Sequence, residues 1–152
     1  MRKAILAGAP QWLELMRAFY AEAGLVLADA HAAKTFATLL ADEPLGAGWL
    51  LEGAGKLAGH LVLTWCYSME YGGTKVVLDD FYEVPSRRGC GMGQGVLAAL
   101  PDLCRARGLR AVSVEAGLTN AIAPKTYRRA GIAPVRNHEV LTLTLRAPSH
   151  QL

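Results

Sequence analysis

Between residues 85 and 95 the chain reads Pro-Ser-Arg-Arg-Gly-Cys-Gly-Met-Gly-Gln-Gly, with glycine at every second position from Gly89 to Gly95. Glycine has no Cβ, so its backbone can approach a ligand closely and adopt positive φ without steric cost, and several amides can turn toward one point. The apolar residues that follow, Val96, Leu97, Leu100, Leu103 and Cys104, recur at three- and four-residue spacing and predict an amphipathic helix over 92 to 107. Its N-terminus adds unpaired N–H donors and partial positive charge. Upstream, residues 75 to 84 (Lys-Val-Val-Leu-Asp-Asp-Phe-Tyr-Glu-Val) are rich in β-branched and aromatic types and read as a strand. Strand, glycine loop and helix together form a cradle for phosphate oxygens.

Spacing separates the families that use such a cradle. A Walker A loop requires G-x-x-x-x-G-K-S/T, and no lysine follows any glycine of this run. The dinucleotide fingerprint G-x-G-x-x-G needs a last interval that glycines at 89, 91, 93 and 95 do not supply. The pattern that remains, P-x-x-R-G-x-G-x-G, resembles the acetyl-CoA loop of the GNAT superfamily of N-acetyltransferases, with Pro85, Arg88, Gly89, Gly91 and Gly93 in register. A second stretch, from Asn120 to Ile132, resembles the family's later signature N-x-x-A-x-x-L-Y-x-x-x-G-F through Asn120, Ala123, Tyr127 and Gly131. Thr126 and Ile132 depart from it, and Pro124 sits where the first turn of a helix tolerates proline. A third stretch, Tyr67 to Gly73 followed by Leu78-Asp79-Asp80-Phe81-Tyr82, is similar to small bacterial members of the family and, more distantly, to diamine acetyltransferases.

The resemblance implies an α/β (α+β) GNAT fold: a mixed, mostly antiparallel sheet of six to seven strands flanked by about four helices. Periodicity puts strands near 2 to 7, 47 to 52, 57 to 66, 75 to 84, 110 to 116 and 138 to 145, and helices near 10 to 23, 30 to 42, 92 to 107 and 121 to 130. The Gly53-Ala54-Gly55-Lys56 segment is a hairpin signal. A single domain over residues 1 to 152 is expected, since the length falls in the single-domain range and a 52% hydrophobic, 19% charged composition supplies a core.

The apolar windows are interrupted well short of the roughly 20 residues needed for a membrane span. Cys66, Cys90 and Cys104 are odd in number and without metal spacing, and His31, His60, His138 and His150 show none either. Reduced thiols in a cytoplasmic protein are therefore expected. Charge is divided along the chain: eight basic and two acidic residues lie between 87 and 129, whereas the rest carries 8 basic and 11 acidic. The positive segment suits a phosphorylated cofactor, and the acidic remainder suits a cationic acceptor. A net charge of +3 with no basic run longer than two residues argues against nucleic acid as partner.

The resemblance further implies acetyl-CoA as cofactor, bound by Phe81, Tyr82, Glu83, Val84, Arg88, Gly89, Cys90, Gly91, Met92, Gly93, Gln94, Asn120 and Tyr127. Tyr127 takes the position of the family's proton donor, and a phenol with pKa near 10 is protonated at neutral pH. Asp79, where diamine acetyltransferases carry an acid that handles the substrate amine, and Asp80 are the candidate bases, with a water chain as the alternative. Being adjacent on a strand, they are expected to point to opposite faces of the sheet. Tyr67, Glu70, Tyr71 and Asp79 are expected around the acceptor. Glu83 occupies a normally apolar position, so its carboxylate must be solvated or paired, or serve as a second substrate acid. The expected function is transfer of the acetyl group of acetyl-CoA to a primary amine of a small molecule, by direct attack in a ternary complex. The expected partners are that amine and a second copy of the chain in a homodimer, with no membrane. The alternatives are an acyl-CoA-binding regulatory module without turnover and an acetyltransferase acting on a protein lysine or N-terminus.

Overall fold

The computed structural model describes residues 1–5, 8–41, 44–115 and 123–135. In chain order the elements are β1 (Arg2–Lys3), α1 (Ala9–Glu22), α2 (Asp29–Ala41), β2 (Gly46–Gly53), β3 (Lys56–Ser68), β4 (Gly73–Glu83), α3 (Met92–Ala106), β5 (Val112–Val114) and α4 (Ala123–Arg129). The strands form one sheet in sequence order, antiparallel except for the parallel β4–β5 pair. The expected mixed, mostly antiparallel sheet is thus observed, but the described residues give five strands rather than six to seven. The strand expected at 138 to 145 lies outside them. β1 is shorter than its predicted span of 2 to 7, although the Ala4 N–H still donates to the Gly48 carbonyl at 2.8 Å.

Local chemistry explains the boundaries. Gly53 pairs with Lys56 across the β2–β3 turn, where Ala54 and Gly55 take φ of 51° and 72°, the left-handed pair that matches strand twist in a tight hairpin. Proline stands in the first turn of α1, where its missing N–H costs nothing. α3 continues through Pro101 despite the lost hydrogen bond; Leu97, Leu100 and Cys104 bury one stripe of that helix and offset a cost of roughly 3 kcal/mol.

Two cores lie on the two faces of the sheet. On one face, α3 packs Val96, Leu97 and Leu100 onto Trp49, Leu61, Leu63, Val76 and Leu78. On the other, α1 and α2 bring Trp12, Met16 and Phe36 against Leu50, Val62 and Tyr82. The Trp12 indole lies on the Gly48 backbone so closely that a Cβ at that position would overlap the ring. Arg17 forks onto Asp29 at 2.9 and 2.8 Å and fastens α1 to the start of α2. No helix among the described residues is long and apolar enough to cross a membrane.

Candidate active site

The alternation of β4 changes phase in its middle. Val62 of β3 is paired with Asp80, but Leu63 is paired with Leu78, so Asp79 is an extra residue without a partner across the ladder. A bulge of this kind bends the strand and turns the side chains that follow it by one position. Val76 and Leu78 before the bulge belong to the α3-side core, and so does Phe81 after it; Tyr82 belongs to the α1-side core. Asp79 and Asp80 consequently line the same cavity, on the α1–α2 side of the sheet. The expectation that they face opposite sides is corrected: strict alternation holds for a regular strand, and the bulge breaks it between these two residues.

The cavity holds about 160 Å³ and is walled by residues of α1, α2 and β3. Its acids are electrostatically unusual. Burial, followed by the neighbouring Asp79 charge, pushes the Asp80 carboxyl up to about 7. Asp79, the more exposed of the two, is also raised, first by desolvation and then by Glu115. Glu115 follows β5, whose Val114 is paired with Leu78, so the third carboxylate adjoins the bulge from the neighbouring strand. The Tyr20 phenol is raised by burial and then by Asp80 and Asp79. Sequence reasoning counted Glu115 only as charge and passed over Tyr20; the apolar periodicity of α1 was the available signal for the latter.

The glycine loop leads into α3 as expected. Gly89 and Gly91 have φ of 76° and 81°, and a Cβ at either would meet nothing within 4 Å. Gly91 caps the helix in the left-handed region that an L side chain enters only at a cost. The loop therefore leaves clear space in front of the first turn of α3, which begins at Met92 and continues through Gln94. Cys90 is exposed within it.

Two loop-side residues have duties that the sequence did not foretell. The Arg88 guanidinium donates to both carboxylate oxygens of Glu22 on α1, and its Nε donates to the Glu83 carbonyl at 2.9 Å. Its charge is thus directed at α1. Glu83 points to the α3 side, where a Cβ on Gly93 would stand 2.8 Å from its Oε2. Its carboxylate meets the positive end of α3, and its Oε1 is buried without a hydrogen-bond partner among the described residues. Glu83 is on the face away from the cavity, so it is not a second acid of that cavity.

β5 is paired with Val76 to Leu78 and no further among the described residues, which leaves the β4 edge from Asp79 to Glu83 without a strand neighbour on that side. Phe81 packs toward α3, Tyr82 is buried toward α1, and the Val84 N–H donates to Ala58. Tyr127 is half-buried on α4 against the α3-side core, and burial holds its phenol above the usual value. Tyr67, Glu70 and Tyr71 cluster at the exposed β3–β4 hairpin, and none of them lines the cavity. Asn120 lies outside the described residues.

Comparison with known proteins agrees with this arrangement. The sequence model of the Acetyltransferase (GNAT) family matches residues 10–132. A search of curated proteins gives no significant match. Among solved structures, an integron cassette protein from the mobile metagenome of Cole Harbour Salt Marsh is 35% identical, with a TM-score of 0.86 over 97% of this chain and 91% of that one. A predicted acetyltransferase from Clostridium acetobutylicum, solved with acetyl-CoA, is 17% identical with a TM-score of 0.74, covering 93% and 94% of the two chains. An aminoglycoside N-acetyltransferase solved with CoA is also 17% identical, with a TM-score of 0.77 and coverage of 95% and 93%. At those identities the last two share the fold. With the match to the family model spanning most of its length, the chain belongs to the GNAT acetyltransferase family.

Proposed function

We propose that the protein is an acetyl-CoA-dependent N-acetyltransferase that acylates a primary amine of a small molecule by direct attack in a ternary complex. The observation that carries this reading is the pair of carboxylates set by the bulge into one cavity, beside a β4 edge that has no strand neighbour among the described residues. The residues present fit the cofactor. Gly89 and Gly91 keep the space before α3 clear, and the helix N-terminus favours an anion there. The β4 edge from Asp79 to Glu83 offers main-chain groups to an extended amide-bearing arm. When bound, acetyl-CoA supplies a thioester-activated acetyl group.

The chain's own residues account for the remaining chemistry. An amine is nucleophilic only when neutral. Asp79 holds the incoming ammonium, and Asp80, whose carboxyl is raised to about 7, takes up its proton near neutral pH. An aspartate of ordinary pKa is a much poorer base for this task. Tyr127 keeps its phenolic proton at neutral pH and serves as donor to the departing thiolate. No covalent enzyme intermediate is required.

The test is thiol release from acetyl-CoA against a broad panel of amines and peptides, with CoA affinity measured in parallel by calorimetry. Turnover with a small amine, lowered in Tyr127→Phe while CoA affinity is kept, is the expected result. CoA binding without release for any acceptor would replace the reading with a regulatory acyl-CoA-binding module.

A further inference from the structure

The acceptor cavity is small, with a partly apolar wall and a pair of carboxylates on β4. Its volume of about 160 Å³ is on the scale of the roughly 150 Å³ cavity that accommodates one benzene molecule. Met16, Leu27, Phe36, Leu39 and Val62 form the apolar part of the wall, Tyr20, His31, Thr35 and Thr64 add polar groups, and Asp79 and Asp80 stand together on β4. A cationic head at the acids leaves the rest of a ligand beside Met16, Leu27, Phe36, Leu39 and Val62.

The outer end carries a second discriminating feature. Through His31, Thr35 and Leu39 the cavity is continuous with an open groove whose other lining residues are Lys34, Thr38 and Leu45. Among the described residues no carboxylate lines that groove, and Lys34 lends it positive charge. Among the described residues a second ammonium at the outer end finds no carboxylate and lies beside Lys34, where it is repelled. A polyhydroxylated amino sugar exceeds the cavity in size and would extend into the groove beside Lys34, which repels its further ammonium groups.

We infer that the acceptor is a small primary monoamine with an apolar body, of the size of a benzylamine, a phenethylamine or a short alkylamine, and that polyamines and amino sugars are rejected. This rests on the acetyltransferase reading above and names the substrate class of the same cavity. Thr35, exposed where cavity and groove meet, is the position from which this selectivity is adjusted.

The experiment compares kcat/KM for phenethylamine, spermidine, kanamycin and a lysine peptide, measured by thiol release with the purified protein. In parallel, calorimetry records binding of the same amines to the protein saturated with CoA. Phenethylamine is expected to exceed spermidine and kanamycin by at least about 100-fold in kcat/KM. Thr35→Glu, which adds a carboxylate at the mouth without touching the core, is expected to raise spermidine turnover roughly tenfold relative to phenethylamine. Robust release with spermidine, kanamycin or the peptide at or above the phenethylamine level would overturn the substrate class and leave the acetyltransferase reading standing. Release with no amine, but selective binding of phenethylamine, would support the cavity's selectivity and overturn the catalytic reading. Absence of both phenethylamine release and phenethylamine binding would overturn the substrate class.

Discussion

Arg88 clasps Glu22 across the fold: its Nη2 stands 2.7 Å from Oε2, and the guanidinium lies 5.5 Å from the centre of the Tyr82 ring. The contact ties the glycine loop to the last turn of α1. Both side chains are about 40% exposed, so solvent screens the pair. Glu22 is held below the ordinary carboxylate range by the hydrogen bond from Arg88. Its contribution is therefore present above about pH 4.5 and is lost as pH falls through the lowered value. Glu22→Gln is expected to cost less than about 1 kcal/mol in urea unfolding at pH 7. Arg88→Gln is expected to change CoA affinity less than Gly91→Val does, as read by calorimetry; the reverse ranking would return Arg88 to the phosphate site.

Asp80 links activity and stability with opposite signs. Its carboxyl titrates at about 7 in the folded chain against 3.8 for the ordinary group. The folded state therefore binds the extra proton between these values, and the Asp80 contribution to stability falls as pH rises from about 4 through 7. Asp80→Asn is expected to stabilise the protein by about 2 to 4 kcal/mol at pH 8 and by little at pH 4. The same change is expected to lower kcat about 100-fold and to remove an acidic limb near pH 7 from the rate profile. Melting temperatures at the two pH values, together with the profile, check both halves.

His60 titrates in the opposite direction. It is fully buried among Trp12, Phe19 and Tyr82, with neither ring nitrogen hydrogen-bonded to a described residue. Burial pushes its value down from 6.5 to about 3. Below pH 6.5 the unfolded chain takes a proton that the folded chain refuses, so the His60 contribution to stability declines by about 1.4 kcal/mol per pH unit until about pH 3, opposing the contribution of Asp80 between about pH 4 and 6.5. Relative to the unmutated chain, His60→Leu is expected to gain stability on acidification between pH 6.5 and 4 in urea titrations, by about 1.4 kcal/mol per pH unit. An unchanged slope would assign acid sensitivity to other groups.

The strand, glycine loop and helix from residue 75 to 106 were legible because each element carries a local signal: β-branched residues, positive-φ glycines and an apolar stripe. The shared orientation of Asp79 and Asp80 was not, because the bulge is a mismatch between two strands and depends on the β3 register. A trace of it does exist in the sequence, where apolar residues of the α3-side core fall at 76, 78 and then 81. Glu83 was recognised as out of place, but its position under Gly93 and the engagement of Arg88 by Glu22 are tertiary contacts without a local signature. The cavity wall escaped for the same reason: Tyr20, His31 and Leu39 come together only when α1 and α2 cover the sheet.

The central claim, acetyl transfer to an amine held at Asp79 and Asp80 without a covalent enzyme intermediate, is tested most directly by initial rates of thiol release. Acetyl-CoA and phenethylamine are varied together, and the amide product is identified by mass spectrometry. Intersecting double-reciprocal lines with formation of the N-acetyl amine are the predicted result. Parallel lines, or thiol release without the amide, would contradict it.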